Sequence, residues 1–321
     1  MNATTTKTRR RMVDMPDYRS FPAQVTRTTR LSPHFVRITF SGPDLGAFGY
    51  AGHDQRVKIL LAQPGRTLAD LPTGEDWYTR WRGLPDDVRP TMRTYTVRAY
   101  RPHEGEIDVD FVLHGLHDDQ HGPVSSWAAV ARPGDAVALL GPDRPGSGRL
   151  WGAEWSPSTS ATKVLIAGDE TAVPAIGAIV DALPAHQHAI VCAEVPLHAD
   201  VPAWEPMAGA EVRWLVRERD GGQHAAHGEL LENAFRDALA ELCGPLQPSP
   251  DPNGLTEGAD EALLWDVPDA DSARTGEVYV WMAGEAGVMK RLRRIVRHDY
   301  AMSRSSFACM GYWRQGQSEP L

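Results

Sequence analysis

The chain has few cysteines, and they lie far apart. Cys192, Cys243 and Cys309 are the only three among 321 residues, too few for a four-cysteine iron–sulfur cluster and odd in number for a disulfide framework. The chain also lacks an HExxH zinc signature, a GxGxxG dinucleotide fingerprint and any apolar run near the ~20 residues of a membrane-spanning helix. We therefore expect no resident metal, no membrane association and a reducing compartment, with the cytoplasm as the default location.

Positive charge is also in short supply. The formal net charge of −9 argues against a general nucleic-acid binder. The basic residues near the start, among them Lys7 and Arg9, have no apolar segment behind them, so residues 1–17 are predicted to be a flexible basic tail rather than a secretory signal. The length allows two domains, and we expect a monomer.

The first half of the chain alternates apolar and polar residues with a period of two. Val36, Ile38 and Phe40 are interleaved with polar residues, and the same pattern recurs at 107–113. Such alternation is typical of half-buried antiparallel strands. We predict a small antiparallel β-barrel over residues 18–150, interrupted by a long tryptophan-containing insertion at 64–90.

The pattern changes after a Ser/Pro/Gly-rich stretch at about 142–160. Residues 164–167 form a continuous apolar run, as in a strand buried on both faces, and a helical apolar period follows Pro174. Strands then alternate with helices. We predict an open, mostly parallel α/β domain over residues 160–321 that finishes with a helix and a tail.

Residues 93–96, Arg-Thr-Tyr-Thr, place a cation, an aromatic ring and two hydroxyls on one predicted strand. Because side chains alternate along a strand, Arg93 and Tyr95 share one face and Thr94 and Thr96 the other. A guanidinium binds phosphate oxygens bidentately, and an aromatic ring stacks on a planar heterocycle. The pattern suggests a flavin nucleotide site, although a strand with a paired arginine and a half-buried tyrosine would carry the same residues.

A second candidate begins at Gly122-Pro123, where the chain breaks before a predicted helix containing Ser125 and Trp127. A helix start exposes free backbone N–H groups, which can bind a pyrophosphate. Ser125 acting only as a helix cap is the alternative.

Two further segments fall where open α/β sheets bind ligands, at the carboxyl ends of predicted strands: residues 168–174 and 281–287. Asp169 and Glu170 would repel a phosphate there, and a capped helix start explains the first segment equally well. The aromatic segment 310–314 either docks on the protein body or covers an active site.

These pieces together resemble the siderophore-interacting protein family, flavin-dependent ferric-siderophore reductases related to the ferredoxin–NADP reductase superfamily. The resemblance covers about residues 21–319 in nine segments of the same order. They are LSPHFVRITFSGPDL at 31–45, DQRVKILL at 54–61, RTYTVRAY at 93–100, VDFVLHG at 109–115, GPVSSWA at 122–128, PGDAVALLGP at 133–142, AGDETAVPAI at 167–176, WMAGEA at 281–286 and GYWRQG at 311–316.

The resemblance implies an FAD-binding barrel followed by an NAD(P)H-binding α/β domain, with NADH or NADPH as electron donor and a ferric-siderophore as substrate. Arg93 would hold the FAD phosphate, Tyr95 would stack on the isoalloxazine, and Thr96 would lie near its reactive nitrogen. Further cofactor contacts would come from Thr94, Asp110, Val112, His114, Gly122, Val124, Ser125, Trp127, Asp169, Glu170, Thr171 and Ala172. Gly284 and Glu285 would lie on the nicotinamide side, and Lys58, Arg144 and Arg314 would bind substrate.

Some segments depart from the family pattern. The loop before Gly122 is longer than usual, Val124 stands where alanine is common, and Ala308 and Cys309 stand where some members carry a basic residue. Arg144 is displaced by one residue from its counterpart. Arg217 or Arg219 could select NADPH by pairing with its ribose phosphate, although pairing on the protein surface is the simpler expectation.

Three other functions fit the same residues. One is a flavin-dependent NAD(P)H reductase for another acceptor, such as a quinone or a protein. The second is a non-enzymatic siderophore-binding protein. The third is a partner-binding module that uses the insertion at 64–90 as its interface.

Overall fold

A computed structural model describes residues 18–69, 71–72, 76–113, 122–143, 152–204, 209–244, 265–268, 274 and 276–316. The predicted tail at 1–17 lies outside these residues, as do His114 and Arg144. The described chain forms two β-sheets, one from each half, as the change in apolar pattern predicts.

The first half is an antiparallel sheet of seven strands. Its strands are β1 (Tyr18–Arg30), β2 (Phe35–Ser41), β3 (Arg56–Leu61), β4 (Thr91–Thr96), β5 (Ala99–Arg101), β6 (Glu106–Val112) and β7 (Ala136–Pro142), and its helices are α1 (Trp77–Arg82) and α2 (Pro123–Val130). The strand order is β4-β3-β7-β1-β2-β6-β5, with antiparallel pairing throughout.

The sheet curls until its two ends meet near residues 97 and 98. The backbone N–H of Val97 donates to Gln55 O beside β3, and that of the next residue, Arg98, donates to Asp108 O in β6. The chain therefore crosses from one end of the sheet to the other within two residues. The alternating apolar residues point into the resulting barrel, where Ile38, Phe40 and Phe111 are fully buried.

The insertion at 64–90 covers the outer face of β3 and β7. Its helix α1 buries Trp81 against Leu60 and Leu140, and the indole N–H of Trp81 donates to Pro90 O at 3.0 Å. The barrel wall is therefore buried on both sides here, which explains why β3 carries the continuous apolar run 59–61 rather than an alternating one.

The second half is a six-stranded sheet with helices. Its elements are β8 (Lys163–Gly168), α3 (Val173–Asp181), β9 (His188–Val195), β10 (Ala210–Val216), α4 (Glu229–Cys243), β11 (Trp265–Asp266), β12 (Val278–Glu285), α5 (Ala286–Arg294) and β13 (Phe307–Trp313). The order is β10-β9-β8-β12-β13-β11, and only the pairing of β11 with β13 is antiparallel among these.

The segment predicted as a C-terminal tail is an internal strand of this sheet. β13 lies parallel to β12, and β11 pairs with its other edge. Residues 307–311 are buried, so their short apolar run belongs to the core rather than to an end that docks on the surface. The predicted helix after β12 is present as α5, which continues into a π-helical turn at Ile295–Asp299.

The two halves are joined by polar and apolar contacts. Asp200, which follows β9, accepts bonds from Ser32 Oγ at 2.6 Å, His34 N at 2.9 Å and His34 Nδ1 at 2.7 Å. The indole of Trp281 donates to Asp54 Oδ2 at 3.1 Å. Val112 packs with Val173 at the start of α3, which brings the carboxyl end of β8 against the barrel.

Candidate functional site

Strand β4 carries the predicted flavin-holding residues and presents them on two faces. The ring of Tyr95 packs inward on Phe111, with centroids 4.4 Å apart, and remains half-buried. Arg93 is half-buried, and its Nη1 donates to Met92 O at 2.8 Å. Thr94 is exposed on the outer face, while Thr96 is buried. The alternation predicted from the sequence is therefore present.

The predicted neighbours on β6 and α2 lie beside this strand. Asp110 is buried and forms a bidentate pair with Arg37 at 2.6 and 2.8 Å, which satisfies its carboxylate within the protein. Ser125 Oγ donates to Val112 O at 3.2 Å, fixing α2 to the end of β6. The indole of Trp127 stacks on Phe40, with centroids 6.4 Å apart, and so packs on the barrel core.

The start of α2 fits an anionic group. Its N-cap is Gly122, which offers no side-chain cap, and the helix begins with Pro123 and then buried Val124. A Cβ placed on Gly122 would meet none of the described residues within 4 Å, so they leave space in front of the first turn. The first N–H groups of the helix are thus available to hold a pyrophosphate. Ser125 is not the helix cap that the alternative interpretation required.

A pocket of about 480 Å³ opens on the outer face of the barrel beside Lys58. Lys58 Nζ donates to Thr94 Oγ1 at 3.1 Å, because the two residues are register partners on β3 and β4. We call this the Lys58 pocket; it is lined by Tyr18, Arg56, Val57, Lys58, Trp77, Thr94, Leu140 and Gly152. Its charged lining residues are both cations, and Trp77 comes from the insertion.

Residues from three separate segments meet at the carboxyl end of the second sheet. Asp169 accepts bonds from Thr171 N at 2.9 Å, Glu285 N at 2.7 Å and Trp313 Nε1 at 3.0 Å. Gly284 has φ 150°, and a Cβ there would lie 2.6 Å from the Asp169 carboxylate, so only glycine permits this approach. Three segments that are far apart in sequence therefore converge on one buried carboxylate.

A second set of charges is buried beside it. Arg217 forms a bidentate pair with Glu170, at 2.8 and 2.9 Å, and also donates to Glu194 at 3.0 Å. The expectation that Arg217 pairs on the surface is wrong, since its side chain is only 11 % exposed. This pairing also occupies Arg217, one of the two residues considered for NADPH selection. Arg219 is exposed and pairs with Glu229 at 3.3 Å.

His227 completes this group, and the sequence did not indicate it. Its Nε2 lies 3.6 Å from Asp169 Oδ2 and 3.7 Å from Glu170 Oε2. We call the whole group the Asp169 cluster, comprising Asp169, Glu170, Glu194, Arg217, His227, Glu285 and Trp313. His227 is one of 12 histidines and matches no short pattern, so nothing in its sequence context distinguishes it.

Burial and mutual repulsion govern the protonation of the cluster. Burial raises the pKa of Asp169, and the neighbouring Glu170 carboxylate adds to that. Burial by itself lowers the pKa of His227, but the carboxylates of Glu170 and Asp169 outweigh it and the net direction is upward. Both shifts favour the protonated forms of Asp169 and His227.

The other predicted residues lie near the Asp169 cluster or in the Lys58 pocket. Ala172 is buried at the N-cap of α3. Glu285 caps α5 by accepting from Val288 N at 2.8 Å. Arg314 directly follows β13, between Trp313 and Gln315, whose N–H donates to Glu285 Oε1 at 3.3 Å. Arg314 therefore belongs to the edge of the Asp169 cluster, whereas Lys58 lies in its own pocket.

Two general features bear on the chemistry of the site. Among the described residues, no group of three or more His, Cys, Asp and Glu side chains is arranged to hold a metal ion. No helix in the described part of the chain combines the length and apolar character needed to cross a membrane.

Comparison with known proteins matches two family models in sequence. Residues 24–146 match the siderophore-interacting FAD-binding domain, and residues 161–316 match the siderophore-interacting protein model. The chain is 26 % identical over 293 residues to the ferric vibriobactin reductase ViuB of Vibrio cholerae, covering 91 % of this chain and 89 % of that protein.

Solved structures agree with these matches. The siderophore-interacting protein SipS of Aeromonas hydrophila is 28 % identical, with a TM-score of 0.64 and coverage of 94 % of both chains. The ferredoxin reductase of a carbazole 1,9a-dioxygenase is 13 % identical, with a TM-score of 0.58 over 92 % of this chain and 70 % of that one, and it shares the fold alone. With both domain models matched in order along the chain, the protein belongs to the siderophore-interacting protein family.

Proposed function

We propose that this protein is an FAD-dependent reductase that uses NADH or NADPH to reduce Fe(III) in a ferric-siderophore to Fe(II), releasing the iron in the cytoplasm. The FAD site lies within residues 18–150 and the NAD(P)H site within 160–321. When bound, FAD converts the two electrons of a hydride into single electrons for iron. Fe(II) binds hard oxygen ligands more weakly than Fe(III), so reduction favours release.

One observation carries this proposal: strand β4 connects the flavin-type residues to a cationic pocket. Arg93 and Tyr95 lie on its inner face, and Thr94 reaches out to Lys58 on the opposite face. An iron chelate held at the Lys58 pocket would therefore be one strand away from the Tyr95 ring. This proximity is what electron transfer from the flavin to a bound chelate requires.

The residues around β4 fit FAD in chemical type. The Arg93 guanidinium supplies charge-assisted hydrogen bonds to a phosphate oxygen, and the open first turn of α2 supplies backbone N–H groups to the pyrophosphate. The partly exposed Tyr95 ring offers a stacking face that Phe111 holds in place from the other side. Thr96, buried at the end of the same strand, is the residue that the family resemblance places near the reactive nitrogen of the flavin.

The Lys58 pocket fits an anionic chelate. Lys58 and Arg56 supply positive charge, and Arg56 is oriented by Glu154 at 2.8 Å and by Gly152 O. Trp77 and Tyr18 supply apolar aromatic wall. The volume of about 480 Å³ falls in the range of small-molecule sites. The insertion at 64–90 then contributes to the substrate seat through Trp77, which favours this role over that of a separate interface.

The experiment that tests the proposal is an acceptor panel. The purified protein is titrated with FAD, and NADH and NADPH oxidation is followed with ferric catecholate and ferric hydroxamate chelates, with a quinone, and with no acceptor. A ferrous chelator traps the iron product. We expect oxidation that depends on a ferric chelate and forms two Fe(II) per NAD(P)H. Failure to bind FAD would overturn the proposal, and turnover on the quinone alone would favour a reductase for another acceptor.

A matched pair of variants tests the FAD assignment. Arg93→Ala should weaken FAD binding about tenfold to a hundredfold, because a phosphate loses its charged partner. Arg27→Ala, which removes an exposed arginine on β1, should leave FAD affinity unchanged. Equal FAD dissociation constants for Arg93→Ala and the natural protein would remove Arg93 from the cofactor site.

A further inference from the structure

The imidazole of His227 is packed among charged side chains, and its ring nitrogens make no hydrogen bond to them. It lies in the loop between β10 and α4, and its side chain is 18 % exposed. Nδ1 and Nε2 are buried, and neither makes a hydrogen bond to the described residues. The ring meets the Trp313 indole edge-on, with centroids 5.2 Å apart. A buried imidazole without hydrogen bonds costs free energy unless it has another role.

The groups that face His227 are mostly acidic. Asp169 and Glu170 follow β8, Glu194 ends β9, and Glu285 ends β12. Opposite them, the buried guanidinium is Arg217 after β10. On the helices, Arg291 of α5 approaches Gly228 but pairs with Glu232 of α4 at 2.8 Å. Two buried carboxylates, Asp169 and Glu170, thus lie within 4 Å of His227 Nε2, and the buried Arg217 pairs with Glu170 and Glu194.

Hydrogen bonds stabilise several of these carboxylates without removing the excess of negative charge. Glu194 accepts from Gly228 N at 2.8 Å and Leu231 N at 3.0 Å, the two residues that flank the start of α4 next to His227. Asp169 accepts from Thr171, Glu285 and Trp313. Neutral donors of this kind leave the net charge unchanged, so any added negative charge nearby favours uptake of a proton by the cluster.

The proposed function brings negative charge to the barrel, next to the loop that carries Asp169 and Glu170. The loop of Asp169 and Glu170 leads into Val173, which packs on Val112 of the barrel beside Ser125. A hydride adds two electrons and one proton to the site, so one negative charge is gained. Iron accepts electrons only. In the overall reaction, NAD(P)H and two Fe(III) are converted to NAD(P)⁺, two Fe(II) and one proton. This proton must leave the site.

We propose, on the basis of that function, that His227 is a proton-holding residue: it takes a proton from solvent when the site gains electrons and returns it when the electrons pass to iron. The borrowed proton cancels from the overall reaction. Asp169 and Glu170 hold the imidazole at 3.6 and 3.7 Å, close enough for strong coupling, and leave both nitrogens able to change their protonation. The side chain is 18 % exposed, so it lies close to solvent although both nitrogens are buried.

The first test follows the histidine directly in the protein without FAD. Nitrogen chemical shifts of His227 are measured by NMR between pH 5 and 9, with exposed His224, three residues away, as the reference. We expect His227 to titrate at a higher pH than His224, and Asp169→Asn to lower that titration. A His227 that stays neutral throughout, or titrates together with His224, would overturn the proposal.

The second test counts protons in the FAD-loaded protein. The slope of the two-electron midpoint potential against pH gives the number of protons taken up per two electrons. We expect between one and two near neutral pH for the natural protein and His224→Gln, and one for His227→Gln. A count of one in the natural protein overturns the proposal even if His227→Gln does not fold.

The outcomes separate this inference from the proposed function. If His227→Gln takes up only one proton per two electrons while the natural protein takes up more, the inference is supported, whichever compound accepts the electrons from the protein. An unchanged count in a well-folded His227→Gln that binds FAD refutes the inference and leaves the reductase intact. A protein that binds no FAD refutes both, and a raised titration of His227 in the first test then reports only a structural ion pair.

Discussion

The Lys58 pocket and the Asp169 cluster differ in charge and in burial. The pocket is open and partly aromatic, its charged lining residues in the described part of the chain are cations, and Lys58 Nζ donates to the exposed hydroxyl of Thr94. The cluster is mostly acidic, and most of its side chains are buried. In the cluster, four buried carboxylates are held by a guanidinium, an indole and backbone N–H groups. The two sites lie on different halves of the protein: one is an open pocket, and the other is a buried network of ion pairs and hydrogen bonds.

This difference separates the expected effects of substitution. Removing a charge from a buried network leaves its partners unpaired, so the cost falls on the free energy of unfolding. Removing a charge from an open pocket leaves its neighbours in water, so the cost falls on ligand binding. The predictions below test this division from the largest expected effect to the smallest.

The largest effect is expected for Arg217→Ala. This change leaves Glu170 and Glu194 buried without their cation and should lower the free energy of unfolding by about 3–5 kcal/mol. Urea denaturation measures it. The matched control is Arg219→Ala, whose exposed pair with Glu229 should contribute less than about 1 kcal/mol. Equal losses in the two variants would mean that the cluster is not a dense network.

The next effect concerns the joint between the two halves at Asp200. Burial alone raises the pKa of Asp200, but hydrogen bonds from His34 and Ser32 outweigh it and hold this pKa below its ordinary value. A carboxylate whose pKa is lowered by folding contributes stability above its unfolded pKa, and this contribution is lost as the pH falls through the folded pKa.

Asp200→Asn should therefore cost about 1–2 kcal/mol at pH 7, and the difference from the natural protein should shrink on the acid side of about pH 4. Unfolding is measured at several pH values. Asp181→Asn is the control, because Asp181 also joins the halves through Arg98 but is 63 % exposed. A pH-independent loss in Asp200→Asn would contradict the assignment.

A smaller effect is expected in the pocket. Lys58→Glu should raise the apparent KM for an anionic ferric chelate about fivefold at low salt, and less at high salt, where charges are screened. FAD content and the free energy of unfolding should stay unchanged. Lys58→Gln separates loss of charge from its reversal and should show a smaller increase. Salt-independent kinetics in Lys58→Glu would exclude Lys58 from the substrate seat.

The smallest effect is expected for the aromatic wall. Trp77→Ala should weaken binding of an aromatic ferric chelate about twofold to fivefold, because a stacked ring contributes roughly 1 kcal/mol. Tyr78→Ala is the control from the same helix, since Tyr78 is 46 % exposed and does not line the pocket. Chelate affinity is measured by fluorescence quenching. Equal losses in both variants would indicate damage to α1 rather than a lost contact.

The sequence predicted the barrel strands and the parallel strands well, because their apolar periods differ. Residues 35–41 and 106–112 alternate, whereas 164–167 and 189–193 are continuously apolar, and both patterns form as expected. It missed β11 and mistook β13 for a tail. β13 is short, and its Gly-Tyr-Trp end has the composition of a surface segment. Only the pairing with β12 on one side and β11 on the other makes it an internal strand.

The residues of the site divide in the same way. The amino-acid sequence by itself determined the chemical types on β4, because strand alternation places Arg93 and Tyr95 on one face whatever surrounds them. Only the tertiary structure decided that Arg217 is buried, that Trp77 closes a pocket on Lys58, and that His227 faces two carboxylates 58 and 57 positions earlier in the chain. Such contacts depend on how strands and loops pack in space, which no local period encodes.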